Sequence, residues 1–116
     1  MREIKFRMWD GHRWNYFALN NIAIYIDLFQ KHLLNGDEPY LYTGLHDKNG
    51  KEIYERNILQ IWMEGDKQIR PYVIESLRSF YADLDTTDSY MRISDFELIG
   101  NIYENAELLQ PQEAHT

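Results

Sequence analysis

Residues 42–59 read YTGLHDKNGKEIYERNIL, and the turn at the centre of this stretch decides the fold class. In Asp47-Lys48-Asn49-Gly50 an aspartate stands where its side chain can cap a turn. The asparagine after it tolerates the bridge or left-handed region, and the glycine takes positive φ without steric cost. That order is the pattern of a type I turn closed by a glycine bulge, and it joins a strand over 42–45 to one over 52–54. Gly44 sets a further backbone bend. The stretch invites comparison with a calcium loop, which needs oxygen ligands at positions one, three and five, glycine at six and glutamate at twelve. Counted from Asp47, glycine falls at four, Lys51 at five and Ile58 at twelve. The match fails on charge and geometry, so Asp47, Asn49 and Gly50 read as structural turn residues.

Working outward, residues 4–9 alternate apolar and charged side chains with period two, and Asp10-Gly11 is a hairpin signal before a second strand over 12–17. Residues 20–35 carry two patterns. Ile22, Ile26, Phe29 and Leu33 recur at helical spacing, whereas Ile22, Ile24 and Ile26 alternate as a strand would. The reading adopted is an extended entry to about residue 25 and a short helix over 27–34. On the other side, 58–63 is a buried strand, 64–67 a turn and 69–72 the returning strand. Residues 73–81 continue that strand or form a helix, 83–89 are polar loop, 90–93 and 96–103 supply closing strands, and 107–109 start a helical turn. Short strands with turns near every ten residues predict a mainly β fold with minor α. Its form is a small, partly open barrel or rolled sheet of antiparallel strands with one or two short helices; α+β is the alternative.

The totals bound the rest. A chain of 116 residues buries one core, and 44% hydrophobic with 15% aromatic residues argues against disorder. Residues 110–116 read as a frayed tail. The absence of cysteine removes disulfides, thiolate metal sites and cysteine nucleophiles, and agrees with a reducing cytoplasm. The first residues are charged where a signal peptide needs an apolar core, and no stretch reaches the roughly 18 apolar residues of a membrane span. Net charge is −7, unevenly placed: residues 1–35 hold five Lys/Arg against three Asp/Glu, and residues 36–116 hold seven against sixteen. An acidic body repels phosphate backbones and disfavours sequence-independent nucleic-acid binding.

Other chemistry is weakly signalled. Asp83-Leu84-Asp85-Thr86-Thr87 has the D-x-D-x-T order of aspartyl-nucleophile phosphatases, but only 29 residues follow it, too few for the doubly wound sheet that such enzymes need. His12, His32, His46 and His115 lack zinc spacing. No serine has nucleophile-elbow context. No catalytic residue, metal ligand or cofactor is assigned. The basic aromatic hairpin, with Lys5, Arg7, Trp9, Arg13 and Trp14, is the one candidate nucleic-acid contact, through stacking and phosphate pairing.

Three blocks carry a family likeness: MREIKFRMWD at 1–10, YTGLHDKNGKEIYE at 42–55 and IGNIYEN at 99–105. In this order they resemble the YopX family of phage and prophage proteins, while 18–39 and 64–95 resemble nothing placed. The resemblance implies one mostly β domain over 1–110 related to SH3-type barrels, a phage or prophage origin, and no transferable catalytic residues. The family pattern continues with Gly-Asp after the glutamate, where this chain has Arg56-Asn57. Either Asn57 takes the special backbone conformation or the turn is rebuilt. Gly44, Gly50 and Gly100 set backbone bends in these blocks. The function expected is a noncatalytic accessory module in the bacterial cytoplasm, acting through protein contacts as a homo-oligomer with no membrane partner. The alternatives are nucleic-acid binding by the N-terminal hairpin, or an acidic decoy of a host nucleic-acid-binding protein.

Overall fold

The computed structural model describes residues 3–84 and 93–110. The second carboxylate of the D-x-D-x-T run, the expected strand residues 90–92, His115 and the tail from 111 lie outside the described residues. Strands take 41% and helices 21%, so the chain is mainly β with minor α.

The first sheet is made by β1 (Lys5–Trp9), β2 (Trp14–Ala18), β3 (Pro39–His46) and β4 (Glu52–Tyr54), in the order β2-β1-β3-β4 and antiparallel throughout. Asp10 closes the first hairpin by accepting the His12 and Arg13 N–H groups at 2.8 and 2.9 Å. Asp47 closes the β3–β4 hairpin as its sequence predicts: the Asn49 and Lys51 N–H groups donate to Oδ1, both at 2.9 Å, and Gly50 sits at φ 83°.

Between β2 and β3 runs α1 (Ile26–Leu34). The extended entry expected before it is instead a run of turns, with Ile24 N–H donating to Asn21 and Tyr25 N–H to Ile22. The alternating isoleucines join no ladder because the backbone there is taken up by i→i+3 turn bonds, from Asn21 N–H to Ala18, Ile24 N–H to Asn21 and Tyr25 N–H to Ile22.

The second sheet is built on β5 (Asn57–Met63). One edge carries β6 (Asp66–Lys67) and β7 (Tyr72–Val73), and the other carries β8 (Ile93–Asn101) along its whole length. Glu64 and Gly65 both take positive φ, 49° and 87°, which makes a two-residue hairpin loop between β5 and β6. The returning strand expected over 69–72 is split, with Pro71, which has no N–H to give a ladder, standing just before β7. Residues 73–81 divide into the end of β7 and α2 (Leu77–Leu84). Ser76 and Ser79 cap α2 reciprocally, each hydroxyl accepting the other's N–H.

The antiparallel sheets are not closed into a barrel. The junction between them lies at Arg56. It takes the left-handed conformation itself, at φ 70°, so that neither alternative for this turn holds. Its N–H donates to Ile74 and its carbonyl accepts from Ile102, turning the chain away from β4 so that β5 founds a new sheet. The aliphatic core lies on that second sheet: Leu59, Ile61, Ile74, Phe80 and Ile93, joined by Ile53 of β4.

Candidate functional site

Alternation along β1 puts Lys5, Arg7 and Trp9 on one face of the first sheet and Phe6 and Met8 on the other. Register then sets Arg7 opposite Tyr16 on β2 and Tyr40 on β3, and Tyr42 opposite Tyr54 on β4. Four strands therefore deliver aromatic rings around one guanidinium. Arg7 is 6% exposed, with Cζ 3.7 Å from the Trp14 ring centroid and 4.7 Å from that of Tyr54. Such desolvated cation–π contacts are worth about 2 kcal/mol. Burial lowers the Arg7 pKa, opposed by the facing Tyr16, Tyr54 and Glu104 groups. Its Nε and Nη2 are buried without a hydrogen-bond partner, and among the described residues no carboxylate forms an ion pair with it.

The turn after β8 covers this face. Tyr103 stacks on Trp9 at 5.5 Å between centroids, and its hydroxyl meets that of Tyr40. Burial and this contact push the Tyr40 pKa up. Glu104 Oε1 accepts from Trp14 Nε1 at 3.1 Å and Asn101 Nδ2 at 2.9 Å. Arg56 also approaches Tyr40, Cζ 5.4 Å from the ring centroid. Its Nη1 donates to Glu75 at 2.8 Å, and its Nε is buried and unpartnered.

Of the five residues read as a nucleic-acid contact, Arg7, Trp9 and Trp14 meet in this cluster, Trp9 edge-on to Trp14 at 5.2 Å. Lys5 shares the face but lies over Tyr42, bridged by Glu3 and Glu52. Burial would lower its pKa, but the bonds to Glu52 and Glu3 win and raise it. Arg13 stands apart, exposed on the hairpin turn. A phosphate chain on this hairpin thus meets one open cation, one already bridged and one enclosed.

The turn residues join the two sheets. Asp47 Oδ2 accepts the Leu98 N–H at 2.8 Å, and Asn49 Nδ2 donates to Glu97 at 3.0 Å. Gly44, at φ 85°, lies where the β3–β4 register shifts. Gly100 serves by close approach rather than by a positive-φ bend, since a Cβ there would lie 2.5 Å from Asn105 Oδ1.

The opposite face of the first sheet carries α1, held by few contacts. Phe29 packs edge-on against Phe6 and Phe17. His32 is buried against Phe17, with Nδ1 2.7 Å from Asp37 Oδ2. Around these, Ile26, Leu28 and Leu33 are exposed, as are Ile24 at 78% and Leu34 at 89%.

Residues 5–110 match the YopX protein family. The chain belongs to the YopX family. No curated protein matches it. The YopX match spans both sheets and both helices, so the covering turn and the aromatic face lie within the family's extent. Sequence reading of this YopX chain missed Tyr40, Tyr54, Arg56, Tyr103 and Glu104 as members of the cluster. Only the period-two register of β1 pointed toward them. Among the described residues no group of three His, Asp or Glu side chains is placed to hold a metal, and no helix is long and apolar enough to cross a membrane.

Proposed function

We propose that this YopX-family protein is a noncatalytic, phage-type accessory module that works through protein contacts and assembles with copies of itself. The observation that carries this reading is the surface of α1. A helix apolar around most of its circumference is normally buried, yet here only Phe29 and His32 are covered by the chain's own sheet. At 100° per residue, Ile26 and Leu33 fall on one flank and Leu28 on the other, with Asp27, Gln30, Lys31 and Leu34 along the outer ridge.

A second copy is the partner that suits this helix. Asp27 lies in its first turn and Lys31 in its last. Two such helices packed antiparallel about a two-fold axis bring each Asp27 toward the other copy's Lys31, an isologous pairing that satisfies both charges at once. Contact through exposed leucines and isoleucines with a charged rim has the anatomy of a stable interface.

The test is sedimentation velocity on the wild-type chain and on a Leu33→Glu, Leu34→Glu variant. The wild-type chain should sediment as a dimer or larger species at micromolar concentration. The variant should sediment as a monomer with an unchanged circular dichroism spectrum. A wild-type chain that stays monomeric throughout that range overturns self-assembly.

A further inference from the structure

We infer that the Arg7–Arg56 cluster is a binding site for an oxyanion, the carboxylate or phosphate group of a ligand, on the sheet face opposite α1. Its donors outnumber its acceptors. Arg7 Nε and Nη2 and Arg56 Nε are three buried N–H-bearing atoms without partners, and the two guanidinium groups approach the same ring system through Trp14, Tyr54 and Tyr40. Tyr16 already makes a hydrogen bond with Arg7, and the other acceptors described around it are engaged elsewhere. Glu104 is held by Trp14 and Asn101, and the Tyr40 and Tyr103 hydroxyls meet each other. A cation buried among rings with no hydrogen-bonded counter-charge is costly, and an anion relieves that cost most directly.

The geometry also selects the class of ligand. A guanidinium presents a planar fork of N–H groups that matches two oxygens of a carboxylate or phosphate. Arg56 already accepts this chemistry from the solvent side, because the carboxylate on its Nη1 belongs to Glu75, whose side chain is 70% exposed. An incoming oxyanion exchanges with Glu75 at Arg56 Nη1. Arg56 occupies a left-handed position that an arginine enters only against strain. Strain of this kind is retained where the side chain has a use.

The experiment follows the arginine Nε–H and tryptophan indole N–H resonances of the intact chain during titration with sodium acetate and, separately, with inorganic phosphate. Sodium chloride holds the ionic strength constant. At least one anion should produce saturable shifts at Arg7, Arg56 and Trp14 with millimolar half-saturation. Arg56→Gln, which leaves Arg7 and the rings in place, should weaken that binding by about tenfold, as expected for losing one charge-assisted contact. Glu104→Gln keeps an acceptor for Trp14 and Asn101 but removes the negative charge beside Arg7, and should tighten binding. A purely structural role for these side chains predicts no such gain. Saturation by acetate alone identifies a carboxylate ligand, and saturation by phosphate alone a phosphorylated one. The inference is overturned if neither anion gives saturable shifts, or if Arg56→Gln responds as the wild type does. Because α1 lies on the other face, Leu33→Glu, Leu34→Glu should bind the anion unchanged, so failure of self-assembly and failure of this site are separable.

Discussion

The two sheets of this chain solve the same problem differently. The second buries a compact aliphatic cluster under α2, with Phe80 fully enclosed between Tyr72 and Phe96. The first buries aromatic rings with a cation among them, and its helix is left largely uncovered. Burial of apolar area is non-directional and tolerant of exchange, whereas a guanidinium between two rings is directional and costly to desolvate. The contrast is chemical: the second sheet holds the buried hydrophobic core, and the first carries an apolar helix on one face and an arginine–aromatic cluster on the other.

The largest expected effect breaks or confirms this division. Phe80→Ala removes a fully buried ring from the second sheet and should cost about 3–5 kcal/mol in urea unfolding. Phe29→Ala removes the main apolar contact of α1 with the first sheet, but from a half-buried position, and should cost about half as much. Equal losses from the two substitutions would mean that both sheets depend on helix burial alike, and the contrast would fail.

An intermediate effect sits at the seam. Asp47 is capped from both sides, by Asn49 and Lys51 of its own hairpin and by Leu98 of β8. Burial alone would raise its pKa, but the N–H groups of Leu98, Lys51 and Asn49 outweigh it and hold the carboxyl below its usual range. Asp47→Asn should therefore cost about 1.5–3 kcal/mol at neutral pH, the worth of hydrogen bonds to a charged acceptor. A depressed folded pKa contributes stability above the unfolded value of about 3.9, and this is lost as pH falls through the folded value. The gap between wild type and variant should thus close in acid, below about pH 4. A gap that persists unchanged there would show that the carboxylate's charge is not what joins the sheets.

Asp47 also marks how far local sequence reaches. Its turn was legible because Asp, Asn and Gly each fix a conformation within four residues, and Asp10-Gly11 was legible for the same reason. The run of isoleucines before α1 misled because alternation reports only a side-chain preference, while the backbone of that run bonds within its own turns. An open arrangement of antiparallel strands was legible from the short strands and frequent turns, but the division into two sheets at Arg56 was not. Arg56 stood out as a departure from the family pattern, yet nothing local said that an arginine itself would take positive φ. The candidate cluster was legible only as far as one hairpin. Trp9 and Trp14 are five residues apart, but Tyr103 joins them from the far end of the chain, through the covering turn after β8. Pairings of that span leave no periodicity to read.

The smallest expected effect sharpens the contrast most. Arg56→Gly at the start of the second sheet relieves left-handed strain of about 1–2 kcal/mol. Against this, glycine loses about 0.5–1 kcal/mol of chain entropy on folding, and the Glu75 pair, exposed on the glutamate side, is worth no more than about 1 kcal/mol. These contributions nearly cancel, so the unfolding free energy from urea titration should change by less than about 1 kcal/mol, while the backbone bonds to Ile74 and from Ile102 survive because they do not involve the side chain. A loss well beyond 2 kcal/mol would make the Arg56 side chain part of the framework, and the chemical contrast between the two sheets would no longer hold at their junction. A near-neutral result means that what the guanidinium contributes through Glu75 and Tyr40 is no more than the backbone strain that its position costs.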